Sequence, residues 1–492
     1  MKKLIILFLT LSMVSVTSCD NDFADLNVDP TASTDLDVNP KFAYLFLKSA
    51  TEEYELSYTQ ILCAGQLVQQ VMDQTFPQSS IYTVREDLQF AWWETQYATT
   101  IKSVVDIINQ LESEENVGTE MGIARIWKAF LFHVLADQYG DTPYFEAGMG
   151  FLTGVTRPVY DDDQEIYMHM LSELEAGVAQ LGSASTLGSS DLVFNGDTSK
   201  WSKFGNSLML RLAMRIKNVD PSASAAWAQK AISGGTMQSN DDTAYMVHQD
   251  GPLDLNRNAW GTYAPRYANA RIGATLYDWL AANGDPRLNI LADPSGPAAG
   301  NRYGLENDQL LALYGETSDS YAKVNPAITK NDSPWVFLSY AQTALLEAEF
   351  AASAGDHSTA EVKYNAGVAA HMQIWGTHYD PSLALDNAAV SAFLSANPYV
   401  AAEGERMIGE QYWAASFFDF FEGFSNFRRS GYPELVPFGG HAPHPSTTTN
   451  GAIPRRLLYP AGEASVNADN YQAVLQAQGP NTQVTRVWWD VN

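Results

Sequence analysis

Stripes of apolar residues with helical spacing run through much of the chain. The clearest lies at 123–135, where apolar side chains recur every three or four residues for more than three turns. That spacing is typical of the buried face of an amphipathic helix. Gly140 and Pro143 follow, and they predict the end of this helix because Pro cannot continue it. No comparable β-type alternation runs through the sequence, so the pattern predicts a mainly all-α fold.

Further stripes predict helices that follow one another in pairs. The predicted segments are 166–181, a helix from Thr198 or Ser199 to Ile216, a helix from Pro221 to Gly234, 334–354 and 358–376. Thr198 or Ser199 is expected as one N-cap and Asp220 as another, with Pro221 at the first helical position. On the helix after Thr198, Trp201 falls on the apolar stripe, and Lys203, Arg211 and Lys217 are assigned to the opposite side.

One of these pairs has the spacing of a tetratricopeptide repeat. Ala348, Gly355, Ala360, Tyr364 and Gly367 reproduce its small-small-small-aromatic-small pattern. Small residues at these places let two antiparallel helices approach closely, and the aromatic ring fills the gap to the next pair. The other pairs match more loosely. The sequence therefore predicts a solenoid-like scaffold of tetratricopeptide-like helix pairs.

Long segments rich in Gly, Pro, Asn and aromatic residues interrupt the helix pairs. They are 74–93, 246–271, 293–331 and 376–398. Helical arrays usually place their insertions on one face, and that face often binds a ligand. We therefore expect irregular insertions to form a ligand-facing half of the molecule.

The N-terminal residues predict a lipid anchor. Lys2 and Lys3 precede an apolar stretch at 4–16, which has the length of a secretory signal and is shorter than the roughly 20 residues of a membrane span. Val16-Thr17-Ser18-Cys19 resembles a bacterial lipobox, in which several acyl chains on the cysteine anchor the protein durably. The alternative is an ordinary secreted protein with an incidental cysteine. We expect a signal peptide at 1–18, an anchor and linker at 19–40, and one helical domain at 41–492.

Charge and cysteine content narrow the possible partners. The formal net charge is −28, so the surface should repel nucleic acid and anionic membranes. Cys63 is the one cysteine besides Cys19, which leaves no internal disulfide in the mature chain. Its apolar neighbours favour a small buried hydrophobic residue over a reactive thiol.

Several blocks of sequence resemble the SusD/RagB family, in particular its SusD-like 2 branch. The blocks occur in one order along the mature chain: 22–30, 125–147, 201–216, 283–288, 427–433, 453–460, 467–471 and 487–490. This resemblance implies four tetratricopeptide-like helix pairs and a more irregular ligand-facing half. It also implies a lipoprotein on the outer face of the outer membrane that captures oligosaccharides, or peptides in some members. A SusC-type TonB-dependent transporter would be the partner.

A secreted, all-helical enzyme acting on glycans is the alternative from another functional class. The carboxylate runs at 112–115, 161–163 and 241–242 lie in turn-like or capping positions, which favours solvated caps over a catalytic pair. Whether the run 161–163 binds a calcium ion is a question that the sequence leaves open. His441 and His444 are the one close histidine pair and lack a further metal ligand. We therefore expect no catalytic residues, no metal and no cofactor.

Aromatic residues are the remaining candidates for ligand contact, because sugar rings stack their C–H faces on Trp and Tyr. Trp127, Trp201 and Trp413 lie in helical stripes and are expected in the core. The candidate ligand-binding residues lie in or beside the insertions: Trp92, Trp260, Tyr263, Arg266, Trp375 and His378. For the aromatic members, anchoring a loop is an equally open role. The segment 254–267, which carries three of the six, is expected to be a loop between two helices.

Overall fold

The computed structural model describes residues 37–50, 56–251, 256–266, 270–302, 304–437 and 448–492. The expected signal peptide with Cys19, and the pair His441 and His444, lie outside these residues. None of the helices in the described ranges combines the length and the apolar character that crossing a bilayer requires.

The described chain is built mainly from α-helices. They are α1 Val38–Ser49, α2 Glu86–Gln96, α3 Lys102–Ser113, α4 Thr119–Tyr139, α5 Gly150–Thr153, α6 Asp163–Gln180, α7 Thr198–Arg215, α8 Pro221–Gly234, α9 Ala259–Arg266, α10 Ala274–Ala282, α11 Leu288–Leu291, α12 Asn307–Tyr314, α13 Tyr340–Ser353, α14 His357–Ile374, α15 Asn387–Ala396, α16 Gly404–Ala415, α17 Phe420–Ser430, α18 Glu463–Val466 and α19 Ala468–Ala477. Leu56–Gly65, Tyr97–Ile101 and Trp375–Tyr379 are π-helical. The strands are β1 Val71–Asp73, β2 Ala244–Met246, β3 Ala270–Ile272 and β4 Trp335–Leu338. The prediction of a mainly all-α fold is confirmed.

Helix boundaries follow the capping residues of the sequence. Helix α4 ends at Gly140, whose φ of 80° lies in the left-handed region that glycine adopts without strain. Asp220 caps α8 by accepting a hydrogen bond from the backbone N–H of Ala223 at 2.9 Å. Helix α7 is capped by Asp197 instead of Thr198 or Ser199, because the Asp197 carboxylate accepts from the N–H of Ser199. That cap was predicted one or two residues too late.

Four helix pairs follow one another in the described part of the chain. They are α4 with α6, α7 with α8, α13 with α14, and α16 with α17, and each pair packs against the next. Glycines allow the close approach within a pair. A Cβ atom on Gly122 of α4 would lie 2.5 Å from the carbonyl oxygen of Gly177 on α6. One on Gly367 of α14 would lie 2.7 Å from Leu345 Cγ of α13.

Two predicted segments differ in the structure. The segment 334–354 begins as strand β4, which pairs antiparallel with β2, and becomes helical only at Tyr340. Ser339 separates the two elements, because its hydroxyl caps α13 by accepting from the Gln342 N–H at 3.2 Å. The segment 254–267, predicted as a loop, contains helix α9 Ala259–Arg266. Strands β1 and β3 form a second antiparallel pair beside it.

The core contains the tryptophans predicted for it. Trp127, Trp201 and Trp413 are fully buried in a hydrophobic cluster that extends from Val38 to Trp489. Cys63 is buried in the same cluster, and burial raises the pKa of its thiol to about 12, so it is not a reactive thiolate. Arg211, assigned to the solvent side of α7, is instead buried. Its guanidinium lies 3.5 Å from the buried Glu422 carboxylate, which compensates the charge.

Candidate functional site

The insertions 246–271 and 293–331 meet at a cleft with a volume of about 590 Å³. One wall is helix α9 and the other is the chain between β3 and β4, which leads from Asp293 to Asp332. The residues lining the cleft are Asp250, Trp260, Gly261, Tyr263, Ala264, Ala270, Asp293, Lys323, Val324, Pro326, Thr329, Lys330, Asn331 and Asp332. Its volume lies within the range of small-molecule sites, about 300–1,000 Å³.

Asn258 holds the two walls together. Its backbone N–H donates to the carbonyl of Asn331 at 2.7 Å, and its side-chain amide donates to the carbonyl of Ser333 at 3.0 Å. Its side-chain oxygen caps α9 by accepting from the N–H of Trp260 at 2.8 Å. Gly261 lies directly against the other wall, because a Cβ atom there would be 2.4 Å from the backbone nitrogen of Asn331. The spacing of the walls is therefore fixed by a backbone hydrogen bond, by the Asn258 side chain and by the close approach at Gly261.

The short β1–β3 sheet supports the middle of α9. The Tyr263 hydroxyl donates to the Asp73 carboxylate at 3.2 Å. The same carboxylate accepts from the backbone N–H groups of Thr75 and Phe76, at 2.7 and 2.9 Å. Burial raises the pKa of the Asp73 carboxyl, while these hydrogen bonds act in the opposite direction. Tyr263 therefore connects the cleft to the scaffold through a buried polar contact.

The lining combines apolar and polar side chains. Ala264, Ala270, Val324 and Pro326 provide carbon surface, and the polar lining residues carry carboxylates, amines, an amide and a hydroxyl. Part of this polar lining is already paired. The Asn331 amide donates to Asp250 at 3.1 Å, and the Lys330 ammonium contacts Asp380. Through its hydrogen bond, Lys330 holds the pKa of Asp380 well below its usual range. The arrangement suits an uncharged ligand with many hydroxyl or amide groups.

The structure brings three of the predicted aromatic residues into one group of ring contacts. Trp260 lies 4.6 Å from Phe418 between ring centroids, and Trp375 lies 5.9 Å from the same ring. Tyr263 lies 5.9 Å from Trp260. Trp260 and Tyr263 line the cleft but are only 2% and 1% exposed. In this conformation they are packed wall residues with no open ring face, so their contact with a ligand stays a prediction.

The other candidates lie elsewhere among the described residues. Trp92, on α2, packs against Phe421 with ring centroids 5.0 Å apart. His378 is half-buried, with Nε2 3.0 Å from the carbonyl oxygen of Asn240 and its ring 4.4 Å from Tyr245. Arg266 ends α9, but its side chain is not among those described. For these three residues, too, ligand binding stays a prediction.

Sequence reasoning missed the polar lining residues of the cleft. They include Asp250, Asp293, Lys323, Lys330 and Asp332. These residues lie in or next to the insertions that the sequence marks, but charged residues in loops are usually solvated without binding anything. The one available signal was Lys330-Asn331-Asp332-Ser333-Pro334, a turn sequence directly before an apolar strand.

His133, Asp137 and Glu422 are the residues whose geometry resembles a metal centre. Their potential ligand atoms lie within 4.8 Å of one another. Arg215 lies 3.2 Å from Asp137 and 2.6 Å from Glu422, so a guanidinium already compensates both carboxylates. Burial and the nearby arginines lower the pKa of His133 to about 3, so its imidazole is neutral. The cluster is a buried ion-pair network.

Comparison with known proteins places the chain in a family. No curated protein matches it. Among solved structures, a chitin-binding protein is 30% identical with a TM-score of 0.83, over 93% of this chain and 100% of that chain. A chitin-binding SusD homologue from Flavobacterium johnsoniae is 23% identical with a TM-score of 0.76, over 92% and 99% of the two chains. A SusD homologue from Bacteroides uniformis is 22% identical with a TM-score of 0.78, over 93% and 100%. A family model described as starch-binding and associating with the outer membrane matches residues 41–460, and the chain therefore belongs to the SusD-like family.

Proposed function

We propose that this protein binds a chitin-type oligosaccharide in the cleft and carries out no reaction on it. The observation that carries the proposal is the cleft itself, a space of about 590 Å³ lined by both carbon surface and hydrogen-bond donors and acceptors. Membership of a starch-binding family supports a carbohydrate ligand, and the relative at 30% identity is a chitin-binding protein. N-acetylglucosamine units present amide groups, hydroxyls and C–H faces. The amides and hydroxyls match the amide and charged side chains of the lining, and the C–H faces match its small apolar residues.

Blocking the cleft tests this assignment. Ala264 lines the cleft and is half-buried, so Ala264→Trp should fill the cleft without replacing a buried core residue. We expect calorimetric titration with chitohexaose to show at least about a tenfold loss of affinity, which is 1.4 kcal/mol. Asp469→Ala, an exposed change on α19, is the control and should bind as the wild type does. Wild-type affinity in Ala264→Trp would refute the cleft as the site.

Trp260→Ala separates ligand contact from wall anchoring. If the ring contacts ligand after a local rearrangement, binding should weaken by roughly 1–3 kcal/mol, by analogy with the stacking of bases on aromatic rings, while unfolding changes little. If Trp260 anchors α9 against Phe418, stability should fall with the affinity or before it. The 2% exposure of the ring favours the second outcome.

Peptide binding and glycan cleavage are the two alternatives, and incubation with chitohexaose and titration with peptides test them. Purified protein incubated with chitohexaose should retain it and release no new reducing ends. New reducing ends would show an enzyme instead of a binding protein. If mixed peptides bind more tightly than any glycan, the ligand class is peptide instead of oligosaccharide. The cleft would then be tested with peptides.

We further propose that the mature chain is a lipoprotein on the cell surface that delivers its ligand to a SusC-type TonB-dependent transporter. The support is the Val16-Thr17-Ser18-Cys19 sequence and the outer-membrane association of the family. Cys19→Ala should release soluble, folded protein that still binds glycan, and tagged wild type should co-purify with the transporter. Wild-type protein found free in the medium, or protected from external protease on intact cells, would contradict the proposal.

A further inference from the structure

A second groove of about 570 Å³ lies on the scaffold of helix pairs, and we call it the helix groove. Its floor is α14, where the half-buried Ala366 and Ala369 and the buried Ala370 leave space because their side chains are small. One wall is the turn before β2 at 238–241, and the other is the chain at 384–385. The second wall lies close to the helix end, because a Cβ atom on Gly376 would be 2.4 Å from Ala384 Cα.

The lining of the helix groove is rich in uncharged hydrogen-bonding groups. Gln238, Asn240 and Gln373 contribute amides, and Ser239 and Thr377 contribute hydroxyls. The side-chain oxygen of Asn240 is buried and accepts no hydrogen bond from any described residue, although its amide nitrogen donates to the Ala370 carbonyl at 2.9 Å. A buried acceptor without a donor is costly, so a hydroxyl or amide N–H that reached this oxygen would be stabilised by it.

An aromatic ring and one carboxylate complete the helix groove. Tyr340, at the start of α13, is half-buried, so part of the residue stays accessible at the groove. This contrasts with Trp260 and Trp375, which are at most 2% exposed. Asp241 is exposed at the wall, whereas the adjacent Asp242 is engaged by Lys203 at 2.8 Å. A single carboxylate among amides and hydroxyls favours a neutral ligand over an anionic one.

We infer that the helix groove is a second carbohydrate site, taking a neutral oligosaccharide of two or three sugar units. An aromatic face, apolar floor atoms, amides and a carboxylate are the groups that bind the C–H faces and hydroxyls of a sugar. The space of the helix groove is close to that of the cleft, 570 against 590 Å³. The inference rests on the proposed function only for the ligand class, since it concerns different residues on a different part of the fold.

Stoichiometry tests the second site. Wild type titrated with chitotriose and maltotriose should bind two molecules of at least one of them per chain. Ala369→Trp should fill the helix groove and reduce the number to one, and Gln373→Ala should weaken the same event about tenfold. Val362→Trp adds the same bulk at a position of α14 that is 64% exposed and outside the groove, so it should keep both binding events. Ala264→Trp should remove only the cleft event.

Hydrogen exchange locates the events independently of stoichiometry. Saturating trisaccharide should slow amide exchange at 238–241 and 366–377 in wild type and in Ala264→Trp, but not in Ala369→Trp. One binding event that Ala264→Trp abolishes, with exchange unchanged at α14, would overturn the helix groove and leave the cleft proposal standing. Protection of α14 by peptides but by no saccharide would also overturn it. Absence of any saccharide binding to wild type would overturn both proposals.

Discussion

At the scale of single residues, Trp201 has the most sharply defined role. Its ring is fully buried and its Nε1 donates to the Asp191 carboxylate at 2.7 Å. Trp201→Ala should therefore lower the free energy of unfolding by about 3–5 kcal/mol. Trp201→Phe should cost less, because it keeps a ring and loses the hydrogen bond. Urea unfolding measures both changes. The half-buried Trp227 is the matched control, and equal effects of Trp201→Ala and Trp227→Ala would refute the core role.

Residue type alone does not decide which aromatic side chains are buried. The stripes identified Trp127, Trp201 and Trp413 as core residues because neighbours in the same helix share their burial. For Trp260 and Trp375 the covering ring is Phe418, which is remote from both in sequence. Such a contact leaves no periodic signal, so the sequence marked the right insertions but could not tell a packed wall from an open surface.

At the scale of elements, the crossing of α4 and α6 depends on two facing glycines. Gly122→Ala would place its Cβ 2.5 Å from a backbone oxygen that cannot move aside without shifting the helix. We expect destabilisation by more than 1 kcal/mol, although alanine favours a helix over glycine by about that amount. Gly423→Ala on α17 is the control, because its nearest atom would be 3.6 Å away. There thermal unfolding should show an unchanged or raised midpoint, and the same result for Gly122→Ala would contradict the close crossing.

The start of α6 should make stability depend on pH. Asp163 is buried beside Asp141, and its carboxylate accepts from the backbone N–H of Trp488 at 2.8 Å. Burial, and then repulsion by Asp141, raises the pKa of Asp163 to about 8 in the folded protein. Because the folded-state pKa is raised, the contribution of this carboxyl to the free energy of unfolding is complete below its unfolded-state pKa, about 3.9. That contribution is lost as the pH rises through about 8.

Asp163→Asn should therefore flatten the fall in stability between about pH 4 and pH 8 and stabilise the protein at pH 8. Asparagine can keep the bond from Trp488 and donate to Asp141 as a protonated carboxyl would. Denaturant unfolding across this pH range is the measurement, and Asp469→Asn, exposed on α19, is the control. A wild-type slope in Asp163→Asn would rule out the pair as the source.

Element ends were predictable where a single residue sets them, and less so where a distant partner does. Gly140 and Pro221 act locally, and the helices end and begin there as expected. Strand β4 was predicted as helix because its apolar residues also fit a helical stripe, and its partner β2 lies much earlier in the chain. The acidic run 161–163 was interpreted as solvated, yet Asp163 is buried by the C-terminal segment around Trp488.

At the scale of the whole molecule, the described core is continuous from Val38 to Trp489. Each helix pair packs against the next, and the insertions pack on the same cluster, apart from a small separate cluster of Leu305, Leu310 and Tyr321 within the insertion 293–331. We therefore expect a single unfolding transition in scanning calorimetry, with calorimetric and van 't Hoff enthalpies in agreement. Two resolved transitions, or a cleft that loses ligand binding well before the scaffold unfolds, would show instead that the insertions form a separate cooperative unit.

The scaffold was predictable at this scale and the cleft was not. Helical periodicity and the ordered sequence blocks apply along the whole chain, so they identify the fold. The cleft depends on the pairing of β1 with β3 and on hydrogen bonds between the two insertions and the residues beside them, such as that from Asn258 to Ser333. Those contacts join segments that share no pattern, and only the folded structure relates them.

The residues that line the cleft all lie between positions 250 and 332, a stretch of chain inserted between the second and third helix pairs. Its main internal ties, from Asn258 and Gly261 to Asn331 and Ser333, start and end within or just beside the stretch. Recombination between relatives could therefore exchange this piece as one cassette while the helical scaffold stays the same. Asp73 and Asp380, which accept from Tyr263 and Lys330, would have to be carried along, and so would Phe418, which packs against Trp260. Glycan preference in such proteins could then diverge much faster than their architecture.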